Sequence, residues 1–150
     1  MSEILLLHPP FNDKSKKTKK PKSMEPCLNC LLPISRRLHP TCFITDEECC
    51  MKQICLQTTK ILKNFGKIWL KKDHTSSMFI DNDNLFISNI IGDLKIFSII
   101  ESKLKKEYTK LHSIEIVGIY AKNDILITAD ASGSVIQWSL SKEELLYEYP

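Results

Sequence analysis

Apolar and polar positions alternate along this chain in short bursts of about five residues, broken by turn-forming pairs. The clearest burst is Leu126 to Leu140, LITADASGSVIQWSL. Leu126, Thr128 and Asp130 alternate with Ile127, Ala129 and Ala131, a Ser132-Gly133 pair interrupts, and Val135 and Ile136 lead on to Trp138. A period of two predicts strands, because successive side chains of a strand point to opposite faces. Two such runs around a Ser-Gly pair predict a β-hairpin, since glycine supplies the positive φ of a tight reversal.

The pattern recurs. LITADASGSVIQWSL aligns without a gap on Leu85 to Ile99 (LFISNIIGDLKIFSI) and on Cys42 to Leu56 (CFITDEECCMKQICL). Trp138 falls on Phe97 and Ile54, Gly133 on Gly92 and Cys49, and Thr128 on Ile87 and Ile44, at offsets of 41 and 43 residues. A repeat of that length is the period of a four-stranded propeller blade.

On these residues, His112 to Leu140 resembles a WD40 repeat. A His precedes an apolar first strand (Ile114 to Ile119), an Ala/Thr-rich second strand follows, and a turn with Gly133 leads to a third strand closed by Trp138-Ser139. His74 opens the preceding unit and Phe97 closes it. The segment from Leu56 to Phe65 looks like the usual passage from third to fourth strand. The resemblance covers residues 27–150 and weakens toward the N-terminus. It implies an all-β fold, a partial propeller of about three four-stranded blades at 27–73, 74–110 and 111–150. The family's turn Asp is replaced by Ser132, Ile91 and Glu48, and the Asp after Trp by Ser139. The family's buried hydrogen-bond network is therefore expected only from His112, Thr128, Ser132 and Trp138, giving blades less rigid than well-matched ones.

Within the repeats, Met78 to Ile80 reads as a short first strand and Asp81-Asn82-Asp83-Asn84 as a turn, since Asp and Asn hydrogen-bond their own backbone. The DNDN run lacks the Gly and Glu of an EF-hand calcium loop. Glu101 to Lys110 fits a turn and an outer fourth strand. In the last unit a turn at Ser141 to Glu144 precedes a fourth strand at Leu145 to Tyr147. Gly66 allows a bend, and Trp69, between Ile68 and Leu70, is expected between blades.

Composition adds compartment and charge. The 150 residues are 43% hydrophobic and 26% charged, the balance of a globular domain. No apolar run approaches the ~20 residues that a membrane-spanning helix needs. Ile4 to Leu7 is too short for a signal-peptide core. The chain is expected to be intracellular, cytoplasmic or nuclear, with its six cysteines as thiols.

The net charge of +3 is local. Six of the 21 basic residues and one of the 18 acidic ones lie in Asp13 to Lys22, which leaves 15 against 17 elsewhere. Residues 1–26, with Pro9, Pro10, Pro21 and Pro26, are expected to form a flexible basic arm. Within it Lys16, Lys17, Lys19, Lys20 and Lys22 read as a nuclear-import run. The remainder has no clustered positive charge for a phosphate groove, so nucleic acid is not the expected partner.

The cysteines offer one alternative. Cys27 and Cys30, with His39 and Cys42, have spacing that suits tetrahedral zinc. The repeat register instead puts Cys27 to Leu32 on a first strand and Cys42 at the start of a second, where cysteine serves as a small apolar residue. The register reading is preferred, and no metal or cofactor is expected. Glu47 and Glu48 beside Cys49 argue against a nucleophilic thiol. With no phosphate loop, carboxylate pair or Ser-His-Asp set, the expectation is a non-enzymatic scaffold that binds other proteins. Three blades fall short of the four to eight of a closed propeller. Further blades, self-association or a partner's blades are expected to complete the structure. The competing function is a zinc-containing nuclear protein that binds nucleic acid through the lysine arm.

Overall fold

The structure, a computed structural model, describes residues 40–70 and 72–149. The basic arm and the expected strand at Cys27 to Leu32 lie outside the described residues.

Among the described residues the chain forms strands and no helix. The first sheet holds β1 (Thr41–Thr45), β2 (Cys50–Cys55) and β3 (Ile61–Lys67). The second holds β4 (Thr75–Asp81), β5 (Asn84–Asn89), β6 (Leu94–Ser98) and β7 (Lys103–Tyr108). The third holds β8 (Ile116–Lys122), β9 (Ile125–Asp130), β10 (Val135–Ser139) and β11 (Glu144–Tyr149). Each is an antiparallel meander in which every strand pairs with its neighbours in sequence.

The gap-free alignment places equivalent strands on one another, and backbone geometry repeats with it. Cys49, Gly92 and Gly133 all have positive φ, at 60°, 89° and 95°. Each closes a three-residue hairpin loop that ends in a left-handed residue, a common hairpin connection. Thr59, Ser102 and Glu143, with φ of 55°, 56° and 57°, repeat the device between the last two strands of each sheet.

Several expected boundaries shift. The strand expected at Met78 to Ile80 is longer, running from Thr75 to Asp81. The strand expected at Ile114 to Ile119 starts at Ile116 instead, because His112 to Ile114 form a connector pressed against Gly92. The expected fourth strand at Leu145 to Tyr147 extends from Glu144 to Tyr149. Cys49 belongs to the turn, so Cys49-Cys50 is not a strand pair with one thiol on each face.

Two apolar clusters lie between the sheets. The first joins Phe43, Met51 and Phe65 of the first sheet to Met78, Leu85, Ile87 and Phe97 of the second, with Ile68 and Trp69 from the connector. The second joins Phe79, Phe86, Leu94, Ile96 and Tyr108 to Ile116, Ile119, Leu126, Trp138 and Leu140 of the third. The middle sheet is therefore covered on both faces, which explains why β5 (NLFISN) is buried at its last five positions. Trp69 is 5% exposed and packed between sheets, as expected from the sequence.

The sheets also meet through backbone. The amide of His112, in the connector to the third sheet, donates to the carbonyl of Gly92 in the second at 3.2 Å, while within the second sheet the Ile90 amide donates to His74 at 3.0 Å. A Cβ on Gly92 would fall 2.0 Å from the His112 carbonyl oxygen, whereas one on Gly133 would meet nothing within 4 Å. Gly133→Ala is expected to cost about 1–2 kcal/mol, the strain of its positive φ. Gly92→Ala adds overpacking against the connector and is expected to cost roughly 2–5 kcal/mol. Urea midpoints of the two variants check this, and equal losses would remove the role assigned to the connector.

Candidate functional site

Each hairpin turn is held by one side chain at a fixed repeat position. Asp46, Asn89 and Asp130 are equivalent, and the Oδ1 of each accepts the amides two and four residues later. Asp46 takes Glu48 and Cys50 at 3.1 and 2.9 Å; Asn89 takes Ile91 and Asp93 at 3.2 and 2.8 Å; Asp130 takes Ser132 and Ser134 at 2.9 and 3.1 Å. The acceptor satisfies amides that the reversal takes out of the strand ladder. The sequence reading missed these three residues. Their signal was in the alignment, where the fifth column reads Asp, Asn, Asp.

In the third sheet this turn carries a buried network. His112, 4% exposed, places Nδ1 3.0 Å from Asp130 Oδ2 and Nε2 2.8 Å from Thr128 Oγ. Ser132 Oγ donates to Asp130 Oδ1 at 2.6 Å. An ionised carboxylate only accepts, so Nδ1 donates to Asp130, and Nε2 shares a hydrogen bond with the Thr128 hydroxyl. The hydrogen bond from Ser132 is the main cause holding the Asp130 carboxyl at about 2, below the usual carboxylate value, with His112 and the turn amides contributing further.

The four residues expected from the resemblance thus separate. His112, Thr128 and Ser132 converge on Asp130, which takes the place expected of a turn Asp. Trp138 stays apart: its buried indole Nε1 has no hydrogen-bond partner among the described residues, and its ring packs edge-on against Tyr108 at 5.9 Å. Gly133 shapes the turn. His74 offers its carbonyl to the Ile90 amide, and Phe97 lies in the first cluster, 6.0 Å from Phe65.

A second clasp closes the other end of the sheets. Ser98 Oγ donates to Asp83 Oδ2 at 2.7 Å, and the Ile100 amide to Asp83 Oδ1 at 2.7 Å. One repeat later, Ser139 Oγ and the Ser141 amide donate to Asp124 at 2.7 and 2.6 Å. Both carboxyls lie below the usual range: burial opposes ionisation of Asp83 and the bonds from Ser98 and Ile100 outweigh it, while Ser139 is the main cause at Asp124. Ser139, which stands where the family has an Asp, thereby binds an Asp across the hairpin. Between the first two sheets, Lys95 Nζ donates to the Ile68 carbonyl at 2.8 Å, pairs with Glu107 at 3.2 Å and lies 4.5 Å over the Trp69 ring.

Of the zinc set, Cys27, Cys30 and His39 lie outside the described residues, as do the lysines of the import run. Cys42 is buried on β1, and burial pushes its thiol and that of Cys49 up, away from a reactive thiolate. Among the described residues no group of three or more His, Cys, Asp or Glu is placed to hold a metal ion. A cleft of about 370 Å³ opens beside the His112 network, bounded by Lys110, Ile114, Ser132, Ser134 and Glu148.

No family model matches the chain, and a search of curated proteins finds no match. Solved structures do match. A structure of U3-55K aligns with a TM-score of 0.60 at 15% identity, over 71% of this chain and 35% of that one. RRP9 WD40 repeats align with a TM-score of 0.59 at 15% identity, over 71% and 34%. The computationally designed Ika4 protein aligns with a TM-score of 0.58 at 13% identity, over 71% and 64%. The chain thus spans about a third of the length of the two WD40 structures. Its fold is that of WD40 propeller blades: three consecutive antiparallel sheets stacked face to face.

The Asp130 carboxylate gives a pH prediction. Its folded pKa is depressed, so its contribution to stability is fully present above the unfolded value of about 3.9 and is lost as pH falls through about 2. Asp130→Asn keeps an acceptor for the turn amides, as Asn89 does, but removes the charge. The stability difference between wild type and this variant, from urea unfolding, is expected to be constant above about pH 5 and to change between pH 4 and pH 2. A difference independent of pH throughout would mean that Asp130 acts as a neutral acceptor.

Proposed function

We propose that this chain is a non-enzymatic protein-interaction scaffold whose blades form part of a larger propeller, completed by further blades. One observation carries the reading. The face of the middle sheet that mates with the third sheet presents Phe79, Phe86, Leu94, Ile96 and Tyr108. One repeat later the same positions are Tyr120, Ile127, Val135, Gln137 and Tyr149. This is a mating face by composition and register: Tyr120 turns its ring to Phe79 of the middle sheet, 5.5 Å between centroids, and no described sheet stacks on the other four positions. Tyr120 is 48% exposed and Tyr149 47%. Exposed apolar area of this kind marks a protein-binding surface. The burial of the Cys42, Cys49 and Cys55 thiols supports a binding role over a catalytic one, and fold likeness supports binding by analogy alone.

The test is light scattering on the full chain beside an Ile127→Lys, Val135→Lys double variant. The wild type is expected to associate, or to bind an apolar dye, through this face. The variant is expected to lose either behaviour while its far-UV β signal persists. A wild type that is monomeric and dye-silent would overturn the reading.

A further inference from the structure

The outermost strand of the third sheet differs from its two equivalents. β3 (ILKNFGK) carries two lysines, and β7 (KLKKEY) carries three lysines and a glutamate. Charges, and lysines above all, on a free strand edge deter pairing with other chains. β11 (ELLYEY) has no lysine and no internal proline, and all six of its residues are exposed. Leu145, Leu146, Tyr147 and Tyr149 are 47%, 40%, 55% and 47% exposed. One edge of β11 pairs with β10, and the other pairs with no strand among the described residues. Its apolar side chains lie on both faces of the strand, so a fifth strand would find contacts above and below the sheet.

Charge selects the occupant. Ser141 to Tyr149 holds Glu143, Glu144 and Glu148 against Lys142 alone, a local net charge of −2. Glu143 is engaged by Lys106 of the neighbouring sheet. Among the described residues Glu144 pairs with the exposed Lys142 alone, at 3.5 Å. Tyr147 and Tyr149, with ring centroids 4.3 Å apart, add π faces that attract cations. A second copy of β11 would set one acidic edge against another, which is unfavourable. We propose that β11 is a β-augmentation site that takes an extended peptide segment of alternating basic and apolar residues. Main-chain hydrogen bonds to the free edge provide affinity, and the glutamates and tyrosines provide selectivity. The proposal rests on the scaffold reading but uses the edge of the third sheet rather than its open face.

The test uses the full chain and a fluorescent peptide of alternating lysine and valine, read by polarisation, with a glutamate-valine peptide as control. The lysine peptide is expected to bind at least ten times more tightly and to slow amide exchange in residues 144–149. The Glu144→Lys, Glu148→Lys double variant is expected to reverse the preference, a gain of binding that an unfolded protein would not show. Leu145→Lys with Tyr147→Lys is expected to abolish binding, and Ile127→Lys on the open face, two strands from the edge, to leave it intact. Equal binding of both peptides, failure of the charge reversal, loss of binding in Ile127→Lys, or self-association that β11 lysines abolish would each overturn the edge site. Light scattering of the face variants remains independent of all these outcomes.

Discussion

The fold depends on burial of both faces of one sheet. A strand covered on a single side alternates strictly between apolar and polar residues, whereas one covered on both sides reads as a continuous apolar run. LFIS in β5 is such a run. Leu85 and Ile87 face the first sheet and Phe86 faces the third, all at 1% exposure or less. Each side chain of this size stabilises by about 1.5–3 kcal/mol when fully buried. Neither flanking sheet has this advantage among the described residues. β9 alternates between half-buried and buried, and β11 is exposed throughout. Stability in a stack of this kind comes largely from interfaces between neighbours, so the middle sheet is its most secure member.

Local polar devices fix the register that makes this stacking possible. A strand slipped by one residue would turn every core side chain to the wrong face. Asp46, Asn89 and Asp130 hold the loop between the same two strands in each sheet at one length. Asp83 and Asp124 pin the following strand end through Ser98 and Ser139. In the first sheet Pro40 occupies the corresponding place and offers only its carbonyl, to Leu56 at 2.9 Å. That sheet keeps the backbone half of the clasp and lacks the side-chain half. Residues that depart from the WD40 pattern thus still fill its geometric duties in the second and third sheets.

That substitution explains what the sequence made legible. The period of 41 and 43 residues, the hairpins and the outer strands were readable because alternation and turn residues follow backbone geometry directly. Trp69 was placed correctly because an indole between Ile68 and Leu70 has few places to go. The polar network was only half readable. The search for a turn Asp at the column of Ser132, Ile91 and Glu48 passed over Asp130, two residues earlier, since a carboxylate reaching forward to Ser132 is a property of three-dimensional shape. Trp138 was assigned a hydrogen bond by resemblance, yet its ring is committed to Tyr108, an aromatic contact between sheets that spacing along one strand does not reveal. The left-handed Cys49 is marked only by the Gly that fills its column in the other two repeats, since a cysteine by itself carries no sign of a positive φ.

The open face and the free edge of the third sheet present different physics, and the difference bears on what a scaffold of this kind recognises. Apolar packing on the face through Ile127, Val135 and Tyr149 is non-directional and tolerates any partner of suitable shape. Pairing along β11 is directional, because each backbone bond requires a strand in one register and one orientation. A protein that offered only the first would be sticky. One that offered only the second would depend on a few hydrogen bonds, each of modest net strength. Gln137, the one polar residue among the five face positions, already narrows the first surface, since burying its amide requires a partner group from whatever packs there. Glu144 and Glu148 narrow the second by charge. On the proposed scaffold role, selectivity in the third sheet resides in the few polar groups placed on otherwise apolar surfaces, and those groups, more than the area they interrupt, would decide which chain stacks or pairs there.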